Sequence, residues 1–95
     1  MEIGYFRYPQ IDYRKTGRNL RRLCREYGYS VRELQQALGL ASNQAIYDWF
    51  NGKSLPTLNN FYALSQLLHT SMEELIYEHM PERPQEPEVD SMEIV

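Results

Sequence analysis

The fold is decided by residues 30–56, which read SVRELQQALGLASNQAIYDWFNGKSLP. Ser30 and Glu33 have the spacing of a capping box, which predicts that a helix begins at Val31. Gly39 suits the left-handed conformation that ends a helix, so this helix is only about two turns long. Another short helix follows a few residues later. Two short helices joined by a glycine turn indicate a helix-turn-helix.

The next helix is predicted over about residues 43–51, with Ser42 as its cap and Gly52 after its end. If its apolar residues Ile46, Trp49 and Phe50 face the core, a rotation of about 100° per residue determines what lies opposite. That opposite face then carries Gln44, Tyr47, Asp48 and Asn51. An amide can form two hydrogen bonds with adenine and a carboxylate can accept one from cytosine. This face therefore has the chemistry of base recognition in a major groove.

Three more helices are predicted, one before this stretch and two after it. Asp12 and Thr16 are alternative caps for the first of them, and a second capping box, Ser71 with Glu74, opens the last. The inward-facing residues expected from helical spacing are Leu20, Leu23, Cys24, Tyr27, Leu34, Ala37, Leu38, Ile46, Trp49, Phe50, Leu58, Phe61, Leu64, Leu67, Leu68, Leu75 and Ile76. The sequence thus predicts an all-α, five-helix bundle of roughly 65–70 residues.

Charge is distributed unevenly along the chain. The net charge of the 95 residues is −3, which by itself counts against a nucleic-acid partner. Residues 7–32, however, carry eight basic side chains against two acidic ones, whereas residues 81–95 carry five acidic side chains against one basic one. Prolines three residues apart also disfavour a helix in the latter segment. We therefore expect an N-terminal arm at 1–10, a DNA-binding domain at 11–80 and a mobile acidic tail at 81–95.

Several function classes are excluded by composition. The single cysteine allows neither an intramolecular disulfide nor a zinc site built on paired cysteines. No apolar run approaches the roughly 18–20 residues of a membrane span, and the N-terminus does not resemble a signal peptide. Neither a phosphate-binding glycine loop nor a nucleophile–base pair is evident. We expect a cytoplasmic non-enzyme without metal or cofactor.

Residues 11–78 resemble the Xre-type repressors, which have a Cro-like or lambda-repressor-like helix-turn-helix. The resemblance is carried by the order and spacing of Thr16-Gly17-x-x-Leu20, Ser30-x-x-Glu33-Leu34, Leu38-Gly39-Leu40, Ile46-x-x-Trp49, Asn51-Gly52-x-x-x-Pro56 and Leu64-x-x-Leu67-Leu68-x-x-Ser71-x-x-Glu74-Leu75. It implies a five-helix bundle whose third helix enters the major groove.

The resemblance also implies which residues contact DNA. Base contacts are expected at Asn43, Gln44, Tyr47 and Asp48. Contacts to the phosphate backbone are expected at Val31 and Arg32, where the second helix begins, and at Asn51, Lys53 and Ser54. Ser42 is also expected to contact the phosphate backbone. From the concentration of positive charge we add Arg14, Lys15 and Arg18. We expect some of the other arginines of the first helix to pair with Glu26, Glu33 or the tail.

These features together predict a sequence-specific regulator of transcription, a repressor that binds double-stranded DNA. One recognition helix covers only a half-site, so a homodimer on an inverted repeat is expected. The alternative is an antitoxin-like interaction protein whose main partner is another protein. The acidic residues 82–95, which end in apolar side chains, favour this alternative because such a segment can order on a basic surface. The same segment could instead fold back and compete with DNA.

Overall fold

Five α-helices form the part of the chain that the structure, a computed structural model, describes, which is residues 8–80. They are α1 (Tyr13–Glu26), α2 (Val31–Leu38), α3 (Gln44–Phe50), α4 (Leu58–Leu67) and α5 (Met72–Leu75). The predicted all-α, five-helix fold is confirmed. Most of the predicted arm and the whole predicted tail at 81–95 lie outside the described residues.

Four of the five helices begin at a side chain that accepts a hydrogen bond from a free amide of the first turn. These caps are Asp12, Ser30, Thr57 and Ser71. The predicted capping box of α2 is complete. The Ser30 hydroxyl accepts from the Glu33 N–H at 3.1 Å, and the Glu33 carboxylate accepts from the Ser30 N–H at 2.9 Å.

Two predicted helix starts are wrong in detail. Ser42 does not cap α3: the capping position is Asn43, whose backbone is already near-helical (φ −92°, ψ 3°), so the Ser42 hydroxyl reaches only the Gln44 N–H, at 3.4 Å. The second capping box is half formed. Ser71 accepts from the Glu74 N–H at 3.1 Å, but the Glu74 carboxylate accepts from the Thr70 hydroxyl, at 2.7 Å, instead of the Ser71 N–H.

The core of the described residues is a cluster of nine buried apolar side chains to which every helix contributes. They are Leu20, Cys24, Leu34, Ile46, Trp49, Phe61, Leu64, Leu68 and Leu75. All nine belong to the inward-facing set predicted from helical spacing. Each such burial stabilises the fold by about 1.5–3 kcal/mol, so the cluster is the main source of stability.

Three residues of the predicted inward set are exposed instead. Tyr27, which follows α1, is 48% exposed and stacks at the surface on His69, with ring centroids 5.4 Å apart. Ala37 lies near the end of the two-turn helix α2, and Leu58, the first residue of α4, is 76% exposed. All three sit at helix ends, where helical spacing continues but no neighbouring helix covers the side chain.

The segment after α5 returns along α1 and fixes its start. Asn19, buried on α1, donates to the Glu74 and Leu75 carbonyl oxygens at 3.0 and 3.2 Å, which satisfies the end of α5. The Tyr77 N–H donates to the hydroxyl of Thr16 at 3.0 Å. Thr16 is therefore a buried acceptor inside α1, and Asp12 is the cap of the two alternatives.

Helix α1 crosses the end of α3 at Gly17, which has no side chain to hold the two backbones apart. A Cβ atom at this position would overlap the Trp49 carbonyl oxygen and lie 2.9 Å from the Phe50 carbonyl oxygen. The contact recurs at Gly52, where a Cβ would lie 2.9 Å from the Arg14 Cα. Two glycines thus allow α1 and the end of α3 to touch through their backbones.

Asp12 joins the start of α1 to the returning segment. Its N–H donates to the Tyr77 carbonyl oxygen at 2.7 Å, and its carboxylate accepts from the Lys15 N–H at 2.8 Å. His79 Nδ1 lies 3.8 Å from the other carboxylate oxygen. The hydrogen bond from the Lys15 backbone, aided by the positive charges of Lys15 and His79, lowers the pKa of Asp12.

Gly17→Ala tests the backbone contact between α1 and α3. Alanine is favoured over glycine in a helix by about 1 kcal/mol, but here its methyl group would meet backbone that no side-chain rotation can move. We expect a net loss of about 2–3 kcal/mol in the free energy of unfolding, as for an overpacked core. Urea unfolding measures it, with an exposed α1 position such as Arg25→Ala as control. A stabilised Gly17→Ala variant would contradict the contact.

Asp12→Asn tests the charge at the start of α1. Because the folded-state pKa of Asp12 lies below its unfolded value, its stabilising effect is complete above about pH 4 and is lost as the pH falls through the folded-state pKa. Asparagine keeps a capping oxygen but does not titrate. Between pH 6 and pH 3 the wild type should therefore lose more unfolding free energy than the variant. Equal losses in urea titrations would contradict the role of the charge.

Candidate nucleic-acid interface

Helix α3 has one buried and one exposed face. Ile46 and Trp49 point into the core at 0% and 5% exposure, as predicted. The predicted base-contact residues lie on the other side: Asn43, Gln44 and Tyr47 are exposed, and Asp48 is half-buried. The buried pair fixes the rotation of α3, and therefore which polar groups it offers to a ligand.

Gln44 and Asp48 are hydrogen-bonded to each other along this face. The Gln44 Nε2 donates to Asp48 Oδ1 at 2.9 Å, between residues one helical turn apart. A pair of this kind stabilises a helix by a few tenths of a kcal/mol. It also means that the orientations of the two side chains depend on each other.

The end of α3 is a tight turn closed by backbone hydrogen bonds. Gly52 has a φ of +76°, its N–H donates to the Trp49 carbonyl at 3.1 Å, and the Lys53 N–H donates to the Asp48 carbonyl at 2.8 Å. This bonding is the Schellman pattern that ends many helices. The turn holds Asn51 and Lys53 exposed directly beside the polar face of α3.

A cleft of about 350 Å³ lies between α1, the start of α2 and α3. Its lining includes Arg21 and Arg25 from α1, Ser30 and Val31 at the start of α2, Tyr47 from α3 and Asn51 at the end of α3. The first amides of a helix have no intrahelical partner, and the helix dipole adds positive potential there. Two guanidinium groups beside such a helix start make the cleft suited to an anion.

The basic residues of α1 line two different grooves. Arg21 and Arg25 line the cleft beside α3, and the backbone of Arg14 lies against Gly52. Lys15 and Arg18, in contrast, line a groove with Tyr77 on the side of the returning segment. The structure therefore brings Arg14, but not Lys15 or Arg18, next to α3.

Arg21 and Arg25 were not among the predicted phosphate contacts. Their spacing from Arg14 puts all three on one strip of α1, since positions i, i+7 and i+11 nearly coincide around a helix. Arg18, at i+4, lies at the edge of the same strip, although it lines the groove with Tyr77. That spacing was a usable signal, but the side of α1 that meets α3 depends on the close approach at Gly17. The predicted pairing with acidic residues is confirmed for Arg22, which bonds Glu26 at 2.9 Å.

The remaining predicted contact residues surround α3. Val31 is half-buried against the core at the start of α2, and Arg32 beside it is exposed. Ser42 is exposed before α3, and Ser54 is half-buried after the Gly52 turn. These positions form a rim around the exposed face of α3.

Cys24 lies at the bottom of the cleft, but its thiol is not reactive. It is 2% exposed, and burial raises the pKa of its thiol to about 11. The thiol is therefore protonated at neutral pH and acts as a small apolar core residue, as predicted. Within residues 8–80, no group of three or more His, Cys, Asp or Glu side chains could hold a metal ion, and no helix is long and apolar enough to cross a membrane.

A family model described as helix-turn-helix matches residues 20–75, which include α2 and α3 and the cleft beside them. The chain belongs to the Xre/lambda-repressor-like helix-turn-helix family. This membership confirms the resemblance seen in the sequence.

A solved structure supports the same assignment. The crystal structure of the restriction-modification controller protein C.AhdI from Aeromonas hydrophila is similar, with a TM-score of 0.60 and 28% sequence identity over 67% of this chain and 96% of that chain. No curated protein matches the chain. Family and structural neighbour together indicate a DNA-binding regulator of transcription.

Proposed function

We propose that this protein is a repressor that binds a specific double-stranded DNA site as a homodimer and acts by occupying that site, without catalysis. The observation that carries the proposal is the exposed polar face of α3, held by the buried Ile46 and Trp49 and flanked by the basic cleft. The similarity to C.AhdI, a restriction-modification controller protein, supports the regulatory role.

Specificity comes from α3 in the major groove. Asn43, Gln44 and Tyr47 offer two amides and a phenol, which can form hydrogen bonds with base edges. These side chains start from a helix rather than from a flexible loop, and the core packing of Trp49 holds that helix in place. Base recognition requires this rigidity, because hydrogen bonds tolerate little displacement of donor and acceptor.

Affinity comes from the phosphates on either side of the groove. Arg21, Arg25, Asn51 and the start of α2 line the cleft beside α3 and would bind phosphates there. The exposed Arg14, Arg32, Ser42 and Lys53, with the half-buried Ser54, would add contacts around it. Lys15 and Arg18 lie beside Tyr77 and act at most through their long-range charge. Such contacts position the protein without reading the sequence.

A second copy of the chain is needed for a site of useful length. The seven residues of α3 make a helix about 10 Å long, because each residue adds about 1.5 Å. This length covers about three base pairs, too few to specify one site in a genome. Two copies on an inverted repeat place their recognition helices about 34 Å apart, one turn of DNA.

Selection of bound DNA from a random double-stranded pool tests the proposal directly. We expect an inverted repeat whose half-site centres are about 10 base pairs apart. A reporter gene carrying the selected site in its promoter should be repressed. Failure to enrich any sequence at moderate salt would contradict sequence-specific binding, and enrichment of an isolated half-site would contradict the dimer.

Gln44→Ala and Lys53→Ala should separate specificity from affinity. Removing the Gln44 amide should reduce discrimination at one base pair by about 1–3 kcal/mol, because that edge is no longer read. Removing the Lys53 charge should weaken binding to all sequences alike. Competition binding against single-base variants of the selected site measures both. The assignment of roles is wrong if Lys53→Ala changes the order of preference among sequences.

The two sides of α1 are compared by variants of matched charge. The double variant Arg21→Gln, Arg25→Gln should lower the slope of log affinity against log salt by about 2, because each phosphate contact contributes about 0.9. Lys15→Gln, Arg18→Gln removes the same charge on the side of Tyr77 and should leave the slope nearly unchanged. Equal effects of the two double variants would show that the cleft has no special role.

A further inference from the structure

Asp48 stands at the centre of the candidate interface, yet a carboxylate close to DNA phosphates is repelled by them. Its side chain is half-buried, and within residues 8–80 the structure shows no ion pair to a basic side chain that would neutralise it. The side-chain partner that it does have is Gln44, whose Nε2 donates to Asp48 Oδ1 at 2.9 Å. This contact suggests a role that does not involve DNA directly.

The contact fixes which way the Gln44 amide faces. A carboxylate has acceptors only, so the group that meets it must be the NH₂ end of the amide. Turning the amide over would bring its oxygen against the carboxylate oxygen, which is repulsive. Gln44 is the first residue of α3 and is exposed, so without Asp48 nothing comparable in the structure holds its amide.

The backbone of Asp48 is held in place, so its carboxylate can orient the Gln44 amide. Its carbonyl oxygen accepts from the Lys53 N–H at 2.8 Å and from the Ser54 N–H at 3.4 Å, within the turn that ends α3. Its neighbour in sequence, Trp49, is buried in the core. The backbone that carries the carboxylate is therefore fixed on both sides before any DNA arrives.

We propose that Asp48 is a positioning residue that makes Gln44 select adenine over guanine; this inference rests on the proposed function. With one N–H given to Asp48, the amide retains one N–H and its carbonyl oxygen, a donor and an acceptor. Adenine offers the complementary acceptor N7 and donor N6 in the major groove, whereas guanine offers two acceptors, N7 and O6. A guanine O6 would face the amide oxygen, and the nearby carboxylate adds to the repulsion.

Variants at the two positions test this role. The base pair read by Gln44 is the one whose preference is lost in Gln44→Ala, and the ratio of affinities for adenine and guanine is measured there. The wild type should favour adenine by at least about fivefold, the lower end for a two-bond contact. Asp48→Ala should lose most of this ratio. Asp48→Asn should keep most of it, because its amide oxygen can still accept from Gln44, and should bind all sequences more tightly because a negative charge is gone.

The double variant Gln44→Ala, Asp48→Ala distinguishes positioning from a direct base contact. If Asp48 acts through Gln44, the double variant should have the same base preferences as Gln44→Ala. If Asp48 contacts cytosine itself, adding Asp48→Ala to Gln44→Ala should remove a preference at a second base pair, and the proposal is overturned. Far-UV circular dichroism and the melting temperature confirm that each variant is folded.

The free protein offers an independent measurement. In the wild type and in Asp48→Asn, the Nε2 proton of Gln44 that is hydrogen-bonded to residue 48 should lie downfield of its value in a solvated amide, and in Asp48→Ala it should return to that value. Unchanged shifts in Asp48→Ala, or an unchanged adenine-to-guanine ratio, would overturn the role of Asp48 alone. A wild type without any sequence preference would instead contradict the proposed function.

Discussion

The backbone contact between α1 and the end of α3 is the constraint on which the interface depends. Only a residue without a Cβ can let α1 approach the Trp49 and Phe50 carbonyl groups as closely as Gly17 does. This approach sets how closely α1 and the end of α3 pack. Arg21 and Arg25 line the cleft beside this contact, whereas Lys15 and Arg18 line the groove with Tyr77. The cleft thus lies beside a helix contact that only glycine permits at position 17.

Asp48 connects the turn after α3 to the first turn of that helix. The Asp48 carbonyl accepts from the Lys53 N–H, and the Asp48 carboxylate accepts from the Gln44 amide, so one residue joins the side chain proposed to read a base to the turn proposed to bind phosphates. Gly52 makes this turn possible because its φ of +76° is strained for other residues.

The sequence predicts most of the fold because the fold depends on local signals. Helical spacing identifies all nine buried apolar residues, and the Ser30–Glu33 capping box and Gly39 give the bounds of α2. The errors fall where local signals end. Leu58 has the spacing of a core residue but sits on the first turn of α4, where no neighbouring helix reaches it. Ser42 has a capping side chain, yet the incoming backbone is already helical one residue later.

The candidate site was predicted less completely, because its composition depends on how helices meet. The rotation of α3 follows from Ile46 and Trp49, so the exposure of Gln44 and Tyr47 could be predicted from spacing alone. The side of α1 that faces α3 could not be predicted from spacing, because it depends on the backbone contact at Gly17. The Gln44–Asp48 hydrogen bond could be predicted only in part. The i, i+4 spacing allows it, but two such residues on a recognition helix can also bind bases separately.

The net charge of the chain has little bearing on DNA binding at this surface. The total of −3 includes a net charge of −4 from residues 81–95, outside the described part, so the rest of the chain carries a small positive charge. At physiological salt the field of an exposed charge is screened over about 8 Å. A phosphate at the cleft therefore responds mainly to Arg21, Arg25 and the start of α2. The charge beside α1 and α3 therefore matters more for DNA binding than the net charge of the chain.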